Sequence, residues 1–394
     1  MKKYLAGAIA LAAASGYAQS TVTLSGQIDA SMARVSSRTA AGQSISRTGL
    51  FPAGMASSFM RFEGREDLGG DLYANFRLET GLNNDNGSGI ATNTNNQNSG
   101  GALAGLNGGQ GQTFNRWAFV GLGSGAWGEV RAGRVYTAAF ENFTPYDPFF
   151  TNGVGNSASL TLRLGQRNTP VALNVSNAIE YLSPHYGSGF FGRVTLALGE
   201  NPDNGTLATN NPKRGGDHAA VRVGYAGGPF SVAYSAGMTR NTAGRVGTTN
   251  NWGDYSNSNL AGKYNFGWMQ LMGQYVNEKL EGATAAGGGL TGNPASEAKN
   301  RSILIGAVFP VGAGNIKVSY VDSKLTDNLG SRAERGRMYV VGYDYYFSKR
   351  TNLYATYAHI NNNAVGNYNF QAAYMTGGQG QGSSGIAFGL KHSF

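Results

Sequence analysis

The chain ends in the stretch GIAFGLKHSF, residues 385–394, whose side chains alternate in character up to the final position. One set is largely apolar and consists of Ile386, Phe388, Leu390, His392 and Phe394. The other set is small or polar and consists of Gly385, Ala387, Gly389, Lys391 and Ser393. Because successive side chains of a β-strand point to opposite faces, this period of two predicts an amphipathic strand. Chain ends usually fray, so a strand that reaches the last residue needs a partner there.

Runs with the same period of two recur along the whole chain. In RMYVVGYDYYF, residues 337–347, aromatic and β-branched side chains occupy every second position, as is typical of strands. We count sixteen such runs, at about residues 20–34, 54–66, 70–82, 112–123, 127–135, 172–184, 188–199, 216–226, 229–238, 257–266, 268–280, 298–309, 314–323, 337–347, 351–361 and 383–394.

The connections between these runs alternate in length. Seven are short, such as EDLGGD, AGGP and SKRT, and eight are longer, several of them rich in Asn, Gly and Ser. Short turns at one rim and long loops at the other are typical of transmembrane β-barrels, whose tilted strands cross the membrane in about 9–11 residues. The sequence therefore predicts an all-β fold, a 16-stranded antiparallel transmembrane β-barrel, with both termini at the rim of short turns.

Closure of such a barrel explains the amphipathic terminus. In hydrocarbon an unpaired backbone N–H or C=O costs several kcal/mol, so the last strand is expected to pair with the first. Phe394 is then predicted to lie in an aromatic girdle at the membrane interface. The alternative is a soluble β-sandwich, but a chain of this length would need two or three such domains, and no linker divides it.

The first residues, MKKYLAGAIALAAASGYAQS, predict a secretory signal peptide. Two lysines precede an apolar run over residues 4–14, and the small residues Gly16 and Ala18 follow it. Cleavage after Ala18 would give a signal peptide, residues 1–18, and a barrel domain, residues 19–394. A single N-terminal anchor helix is the alternative, although the apolar run is shorter than the about 20 residues that a membrane span needs.

Several stretches resemble the general porins of the β-proteobacterial type, the group of Neisseria, Bordetella, Burkholderia and Comamonas. The mature start QSTVTLSGQIDA resembles their opening strand, and SSFMRFEGREDLGGDLYANFRLETG resembles their second hairpin. The stretches FNRWAFVGLGSGAWGEVRAGRVY, NAIEYLSPHYGSGFFGRV and the terminal FGLKHSF also resemble this family. The resemblance spans the chain and implies a homotrimeric 16-stranded barrel in the outer membrane of a Gram-negative bacterium. It also implies a third loop folded into the lumen and passive diffusion of small hydrophilic solutes.

The resemblance implies partners as well. The barrel would contact the lipid bilayer and lipopolysaccharide, and the terminal Phe394 would be the assembly signal that the barrel-assembly machinery reads. The net charge of +9 does not indicate nucleic-acid binding, because the basic residues are spread through the strands instead of forming one patch.

The alternation of side chains between the two faces of each strand predicts which charged side chains face water inside the barrel. An isolated Arg in the middle of the lipid-facing surface would cost about 2–4 kcal/mol, so strand arginines are expected inside. The inward set comprises Arg61, Arg65, Arg77, Arg116, Arg131, Arg193, Arg222, Lys263 and Lys317, together with Glu63, Glu79 and Glu129. The same count places Trp117 and Phe119 on the lipid-facing side.

The segment after the fifth strand, about residues 136–170, is too long and too apolar for a surface hairpin loop. We expect it to be a constriction loop packed against the wall, carrying Glu141 and Asp147 opposite Arg61, Arg77 and Arg116, with Arg131 near its base. A transverse field across such an eyelet would orient water and polar solutes. The resemblance implies a third cluster arginine beyond the loop, for which Arg163 and Arg167 are candidates that do not align cleanly.

The predicted function is therefore an outer-membrane channel for ions and small hydrophilic solutes, with a preference for anions. The alternative on the same fold is a substrate-specific channel for an organic acid or phosphate. An outer-membrane enzyme is a third hypothesis, but no GxSxG motif or other acid–base constellation supports it. The chain has no Cys, its four His residues are scattered without an HExxH pair, and no cofactor or metal is expected.

Overall fold

The structure is a computed structural model that describes residues 21–89, 113–167, 173–200, 214–240, 253–286, 289–329, 333–370, 374 and 376–394, without the side chains of 166–167 and 283–295. The predicted signal peptide, residues 1–18, lies outside the described residues. Antiparallel strands dominate the remainder. No helix in the described part of the chain is long and apolar enough to cross a membrane.

The described strands form one sheet of 18 segments, in which the pairing runs from neighbour to neighbour. Two segments continue each other as one barrel strand, and Ser88–Gly89 is only a short return against a strand end, so the barrel has sixteen strands. The barrel strands are β1 Thr21–Arg38, β2 Ser44–Pro52 with Phe59–Gly69, β3 Leu72–Asn83, β4 Trp117–Ser124, β5 Gly128–Tyr136, β6 Asn174–Leu182, β7 Gly189–Ala197, β8 His218–Gly227, β9 Phe230–Thr239, β10 Tyr255–Asn265, β11 Gln270–Ala286, β12 Gly289–Val311, β13 Gly314–Asp327, β14 Glu334–Tyr346, β15 Thr351–Asn362 and β16 Ser383–Ser393.

The ring closes between β1 and β16. Their antiparallel register runs from Gln27 opposite Ser393 to Ser36 opposite Ser384. Beyond it, Phe394 exchanges two backbone hydrogen bonds with Gly26, at 3.0 and 3.1 Å. The predicted closed 16-stranded antiparallel barrel is confirmed, and the last residue is paired as expected.

The second barrel strand is interrupted. Ser44–Pro52 pairs with the far half of β1, and Phe59–Gly69 pairs with its near half. Between the two segments the chain leaves the sheet, and the carboxylate of Asp29 accepts the backbone N–H groups of Gly54, Met55 and Ala56 at 2.8–3.2 Å. The backbone N–H groups of the interruption are therefore satisfied by Asp29, and the same hydrogen bonds satisfy this fully buried carboxylate.

The predicted short connections all occur, but two of the predicted long ones do not. The alternation predicts a loop over residues 35–53, whereas Ser44–Pro52 is a strand separated from β1 by only 39–43. It also predicts a loop over residues 281–297, whereas β11 continues to Ala286 and β12 resumes at Gly289. At both places the strands remain hydrogen-bonded beyond the stretch in which alternating polar and apolar side chains identify them in the sequence.

The two faces of the sheet differ in polarity as the alternation predicts. On β16, Ile386, Phe388 and Leu390 are exposed on the outer face, while Ala387 on the opposite face is buried. Near the short turns, aromatic rings of neighbouring strands are in contact, for example Trp268 with Phe309 at 6.2 Å between ring centroids. An apolar outer band bordered by aromatic residues is typical of barrels in lipid.

The segment between β5 and β6 contains short helices instead of strands. They are α1 Ala138–Phe143, α2 Ala158–Thr161 and α3 Arg163–Arg167, with 3-10 turns at Thr144–Tyr146 and Gly153–Gly155. Helix α1 begins after Thr137, whose hydroxyl accepts the backbone N–H of Phe140 at 3.2 Å. Phe143, Leu160, Leu162 and Leu164 are buried in the main apolar cluster, which explains why this segment is richer in apolar residues than the other connections.

Candidate functional site

Charged side chains on β2 and β3 pair across the sheet. Arg61 is the Cα partner of Glu79, and Glu63 is the partner of Arg77, so all four lie on one face. The Arg61 Nη2 atom lies 2.6 Å from Glu79 Oε2, and the Arg77 Nη2 atom lies 2.8 Å from Glu63 Oε2. Register thus fixes which carboxylate each guanidinium meets.

A second arginine reaches the same Glu79. Arg116, just before β4, places Nε 2.5 Å from Glu79 Oε1. The three side chains Arg61, Glu79 and Arg116 are called the wall cluster below. The carboxylate is 1% exposed, whereas the side chains of Arg61 and Arg116 are 24% and 21% exposed. The cluster therefore has a net charge of about +1 and presents its cations to water.

Aromatic rings accompany these guanidinium groups. The Phe59 ring centroid lies 4.8 Å from the guanidinium carbon of Arg61 and 5.0 Å from that of Arg116. Further along the same wall, Arg131 lies 4.6 Å from the Phe119 ring. Contacts of this kind contribute about 0.5–1 kcal/mol each at exposed sites and more where they are desolvated.

The predicted orientation of Trp117 and Phe119 is wrong. They are the Cα partners of Glu79 and Arg77, and paired residues face the same side of a sheet, so both rings lie on the charged face. Each is 6% exposed, whereas Val120, which points to the outer face, is 61% exposed. The prediction failed because parity was counted from Arg116, which precedes the strand and does not share its alternation.

Arg131 forms ion pairs with two acidic side chains, so its charge is balanced locally. Its Nε atom lies 2.5 Å from Glu129 Oε1, and its Nη1 atom lies 3.6 Å from Glu180 Oε2. Glu180 also pairs with the fully buried Arg193, at 2.5 Å. Arg193 in turn binds Glu141 of helix α1, so this predicted carboxylate is held at the wall and remains partly exposed.

Helix α1 and the turn after it are hydrogen-bonded to β9 and β10. The Asn142 side chain donates to the carbonyl oxygens of Ala233 and Asn259, both at 3.1 Å. The Tyr146 hydroxyl lies 2.8 Å from the Ser231 hydroxyl. Ala233 and Asn259 are buried, while the large apolar side chains of these strands, such as Tyr234 and Leu260, are exposed on the other face.

Asp147 does not lie at a water-filled surface. Its side chain is fully buried, and its carboxylate accepts hydrogen bonds from the N–H groups of Phe149 and Thr151 and from the Ser157 hydroxyl, at 2.5–3.1 Å. Burial raises the pKa of this carboxyl above its ordinary value, and these hydrogen bonds counteract the shift only in part. Asp147 therefore holds the turn together, in contrast to the eyelet position expected for it.

Arg163 is also buried. Its Nη2 atom lies 2.5 Å from Glu334 Oε2, and its guanidinium carbon lies 4.0 Å from the Tyr368 ring centroid. The backbone N–H groups of Leu164 and Gly165 donate to Glu278 at 3.1 and 2.9 Å. This end of the segment is thus attached to β11 and β14, and the Arg163 guanidinium is enclosed there. The side chain of Arg167 lies outside the described part of the chain.

Two cavities meet at Arg222. The first, about 530 Å³, is lined by Gln27, Arg116 and Trp117 on one side and by Glu141 and other residues of the 137–167 segment on the other. The second, about 460 Å³, lies toward the short turns and is lined by residues that include Tyr146, Arg222, Ser231, Lys263, Asn265 and Gln270. Arg222 and Pro145 border both, so the two cavities are adjacent.

The second cavity has cations without acidic partners. Arg222 donates to the Asn142 side-chain oxygen at 2.9 Å and to the Tyr186 hydroxyl at 2.7 Å, both neutral groups. Lys263 contacts only the Pro145 carbonyl oxygen, at 3.5 Å, among the hydrogen-bond acceptors that the structure describes. No Asp or Glu lines this cavity within the described ranges. The alternation of side chains along the strands predicts that both cations face inward, but it cannot show that neither forms an ion pair with a carboxylate.

No metal centre is visible in the described part of the chain, where no group of three or more His, Cys, Asp or Glu side chains is placed to hold an ion. The charged groups of the wall are instead paired with one another or directed at the cavities. Such an arrangement can orient and attract small ions.

Comparison with known proteins gives the following similarities. A family model described as Gram-negative porin matches residues 6–365. Outer membrane porin protein 32 of Delftia acidovorans is 32% identical over 403 residues, which cover 100% of both chains. An outer membrane porin protein of Bordetella pertussis is 29% identical over 432 residues, again with 100% of both chains covered. The solved structure of an anion-selective porin from Comamonas acidovorans has a TM-score of 0.75 at 28% identity, over 95% of this chain and 100% of that one.

Proposed function

The chain belongs to the Gram-negative porin family, and from this premise we propose that it is an anion-preferring channel whose narrowest part lies between the wall cluster and the segment 137–167. As a member of this family it is a channel for passive diffusion in the outer membrane of a Gram-negative bacterium and not an enzyme. The predicted family, location and general function are confirmed. The charge preference and the residues of the constriction are our proposal.

The observation that carries the proposal is the exposure of two guanidinium groups around one buried carboxylate. An ion that passes the wall cluster meets Arg61 and Arg116, whereas Glu79 is shielded from it. Arginine keeps its charge at any physiological pH, and its planar fork matches carboxylate and phosphate. Fixed cations in a narrow water-filled passage raise the local concentration of anions.

The charges beyond the wall cluster support the same preference. Arg222 and Lys263 line the second cavity, and no Asp or Glu is among its described lining residues. On the opposite side of the first cavity, Glu141 supplies a negative charge that Arg193 partly neutralises. We therefore propose Arg61, Arg77, Arg116, Arg131 and Glu141 as constriction residues, add Arg222 and Lys263, and leave out Asp147 and Arg163.

We further propose that the segment 137–167 lies within the barrel and narrows it. Its hydrogen bonds to Ala233, Asn259, Gln274 and Asn300 support this position, because all four residues are buried on strands whose large apolar side chains are exposed on the other face. A surface loop would have no access to that face. The domain boundaries, with cleavage after Ala18 and a loop of about residues 136–170, remain predictions.

The experiment that tests the proposal measures the reversal potential in a planar bilayer that separates two KCl concentrations. The wild-type channel is expected to show a reversal potential on the anion-selective side. R116E or R61E should move it toward cations, because each replaces an exposed cation of the wall cluster with a carboxylate. The control is R350E, the same charge change at an exposed turn, which should leave it unchanged. An R116E channel with wild-type reversal potential would refute the assignment.

A substrate-specific channel for an organic acid or phosphate is the second candidate function. The guanidinium–ring contacts along the wall favour it, as do Arg222 and Lys263, which form no ion pair within the described residues, because such groups can bind an anion as well as attract it. Conductance that saturates with one anion or is blocked by it would favour this function, and linear conductance for all small anions would favour general diffusion.

Three partner assignments remain proposals. A homotrimer is consistent with the family and is tested by the mass of the native protein in mild detergent. Recognition of Phe394 by the barrel-assembly machinery is tested by the yield of folded protein from a chain that lacks this residue. Contact with lipopolysaccharide is tested by the binding of the lipid to the folded protein in detergent.

A further inference from the structure

Phe150 exposes an aromatic ring at the first cavity, from the middle of the segment 137–167. Its side chain lines that cavity and the residue is 45% exposed, whereas Phe149 beside it is 4% exposed. The φ angle is 49° at Phe150 and 61° at Thr151, a backbone region that bulky L residues rarely adopt. The chain is therefore held here in a disfavoured conformation that leaves a large apolar ring in contact with water.

Hydrogen bonds on both sides of Phe150 fix this conformation. Its N–H donates to the Asp147 carbonyl oxygen at 3.0 Å, and its own carbonyl oxygen accepts from the Thr151 hydroxyl and the Asn152 amide, both at 2.6 Å. The Asn152 side-chain oxygen in turn accepts from the hydroxyl of Ser57, in the interruption of β2, at 2.9 Å. A disfavoured conformation that its surroundings hold in place suggests that the position of the ring serves a function.

Three further aromatic side chains line the same cavity, and their rings are in contact. Trp117 of β4 lies 5.0 Å from Tyr136 at the end of β5, and Tyr136 lies 5.2 Å from Phe140 of helix α1, measured between ring centroids. These three rings and Phe150 are called the aromatic lining below. A small molecule in this cavity would therefore have aromatic surface available for contact.

The same cavity also carries an excess of positive charge. Arg116 and Arg222 line it, and the acid among its described lining residues is Glu141, which Arg193 binds. The Nε and Nη1 atoms of Arg222 donate to neutral side chains, whereas Nη2 has no acceptor within the described ranges. That nitrogen can donate to a ligand, and a carboxylate is the acceptor that a guanidinium binds most strongly together with phosphate.

We propose that the first cavity binds aromatic carboxylates and that Phe150 determines this specificity. The carboxylate binds the Arg222 guanidinium and is attracted by Arg116, while the ring of the ligand contacts Phe150 and the rest of the aromatic lining. The cavity volume of about 530 Å³ lies within the about 300–1,000 Å³ typical of small-molecule sites. An inorganic anion would use the two arginines and gain nothing from the rings. The inference rests on the proposed function in one respect, that this cavity lies in the path of the solutes.

The test is a competition experiment on the folded protein in detergent. 4-Fluorobenzoate is the probe, observed by the relaxation of its fluorine NMR signal, and empty micelles supply the correction for partition into detergent. Benzoate should displace the probe at about tenfold lower concentration than acetate, which has the charge without the ring. Benzyl alcohol, which has the ring without the charge, should also compete more weakly than benzoate.

The variant F150A removes the exposed ring of the aromatic lining. The ratio of benzoate affinity to acetate affinity should fall about fivefold, because the aromatic contact is lost and the two arginines stay. The matched control F190A removes a phenylalanine ring that is 85% exposed on the outer face, and it should leave the ratio as in the wild type. If F150A does not fold, F150L replaces it and should lower the ratio by less.

Three results would overturn the proposal. Wild-type protein that binds benzoate no more tightly than acetate would remove the aromatic specificity, and benzyl alcohol that competes as well as benzoate would remove the role of the arginines. An equal fall of the ratio in F150A and F190A would place the ring contact on the outer face. These measurements use no ion current, so their failure leaves the proposed anion preference intact, and a failure of the reversal-potential test leaves the affinity ratio interpretable.

Discussion

Arg61 and Arg116 bind opposite oxygens of one carboxylate, that of Glu79, at 2.6 and 2.5 Å. One arginine is inside a strand and the other precedes a strand, so the shared carboxylate ties β2 to the start of β4 across β3. The arrangement leaves one positive charge unneutralised at a fixed place in the wall. It also means that each arginine keeps the carboxylate paired when the other is removed.

The variant E79Q should make the channel more selective for anions, because both guanidinium groups lose their common counter-charge. The reversal potential in a KCl gradient measures this effect. Stability should fall by less than the about 3–5 kcal/mol typical of a broken buried pair, because both arginines retain access to water. E63Q is the comparison and should shift the reversal potential in the same direction but by less, since Glu63 neutralises only Arg77 and is itself about one-third exposed. A shift of E79Q toward cations would contradict the assignment.

Trp117 should be protected from lipid although it lies on a membrane-spanning strand. In variants that retain a single tryptophan, brominated lipids should quench Trp268, which is exposed beside the aromatic residues near the short turns, and should leave Trp117 almost unaffected. The measurement is steady-state fluorescence in vesicles. Equal quenching of the two would show that Trp117 faces the bilayer after all.

Asp147 should make stability depend on pH. Burial raises the pKa of this carboxyl above the ordinary value of about 3.9, so the folded chain holds the proton more tightly than the unfolded chain. Its contribution to folding is then fully present below the ordinary pKa and is lost as pH rises through the raised one. The melting temperature of the wild type minus that of D147N should therefore decrease from acidic to neutral pH.

The control for this effect is D85N, which alters an exposed carboxyl. The difference between wild type and D85N should show no comparable decrease. A difference between wild type and D147N that stays constant or increases over the same pH range would refute the inferred direction of the Asp147 shift.

Arg163 should stabilise the segment 137–167 far more than a surface arginine stabilises its surroundings. R163Q leaves the buried Glu334 without this guanidinium and should cost about 3–5 kcal/mol. The channel should also become noisier in single-channel recordings, because the end of the segment loses an attachment. The matched control R214Q breaks the exposed pair with Asp217 and should cost about 0–1 kcal/mol. Similar losses in both variants would show that burial does not distinguish the two pairs.

Strand alternation predicts most of the barrel because one face meets lipid and the other meets water. It locates β16 and the outward set of Ile386, Phe388 and Leu390 correctly. It misses Ser44–Pro52 and the outer parts of β11 and β12, which pair through their backbones where the side chains show little polar contrast. Residues such as Ser46 and Gly49 give no apolar face to recognise.

The candidate site was only partly predictable. Parity indicates that Arg61 and Arg77 face inward, but the choice of Glu79 or Glu63 as partner depends on the register between strands. The inward positions of Trp117 and Phe119 follow from the same register and were missed. Burial of Asp147 and Arg163 depends on how the segment 137–167 packs, which no local pattern encodes.

The hydrogen bonds between Gly26 and Phe394 make completion of the chain a condition for sealing the barrel. A Cβ atom at position 26 would lie 2.5 Å from the Phe59 carbonyl oxygen and 2.7 Å from the Phe394 ring. Both distances are shorter than normal contacts, so glycine is required at this position. A ribosome must therefore release the whole polypeptide before its beginning finds its final neighbour. A chain truncated before residue 383 would leave the backbone donors and acceptors that Gln27–Ser36 directs toward β16 without partners.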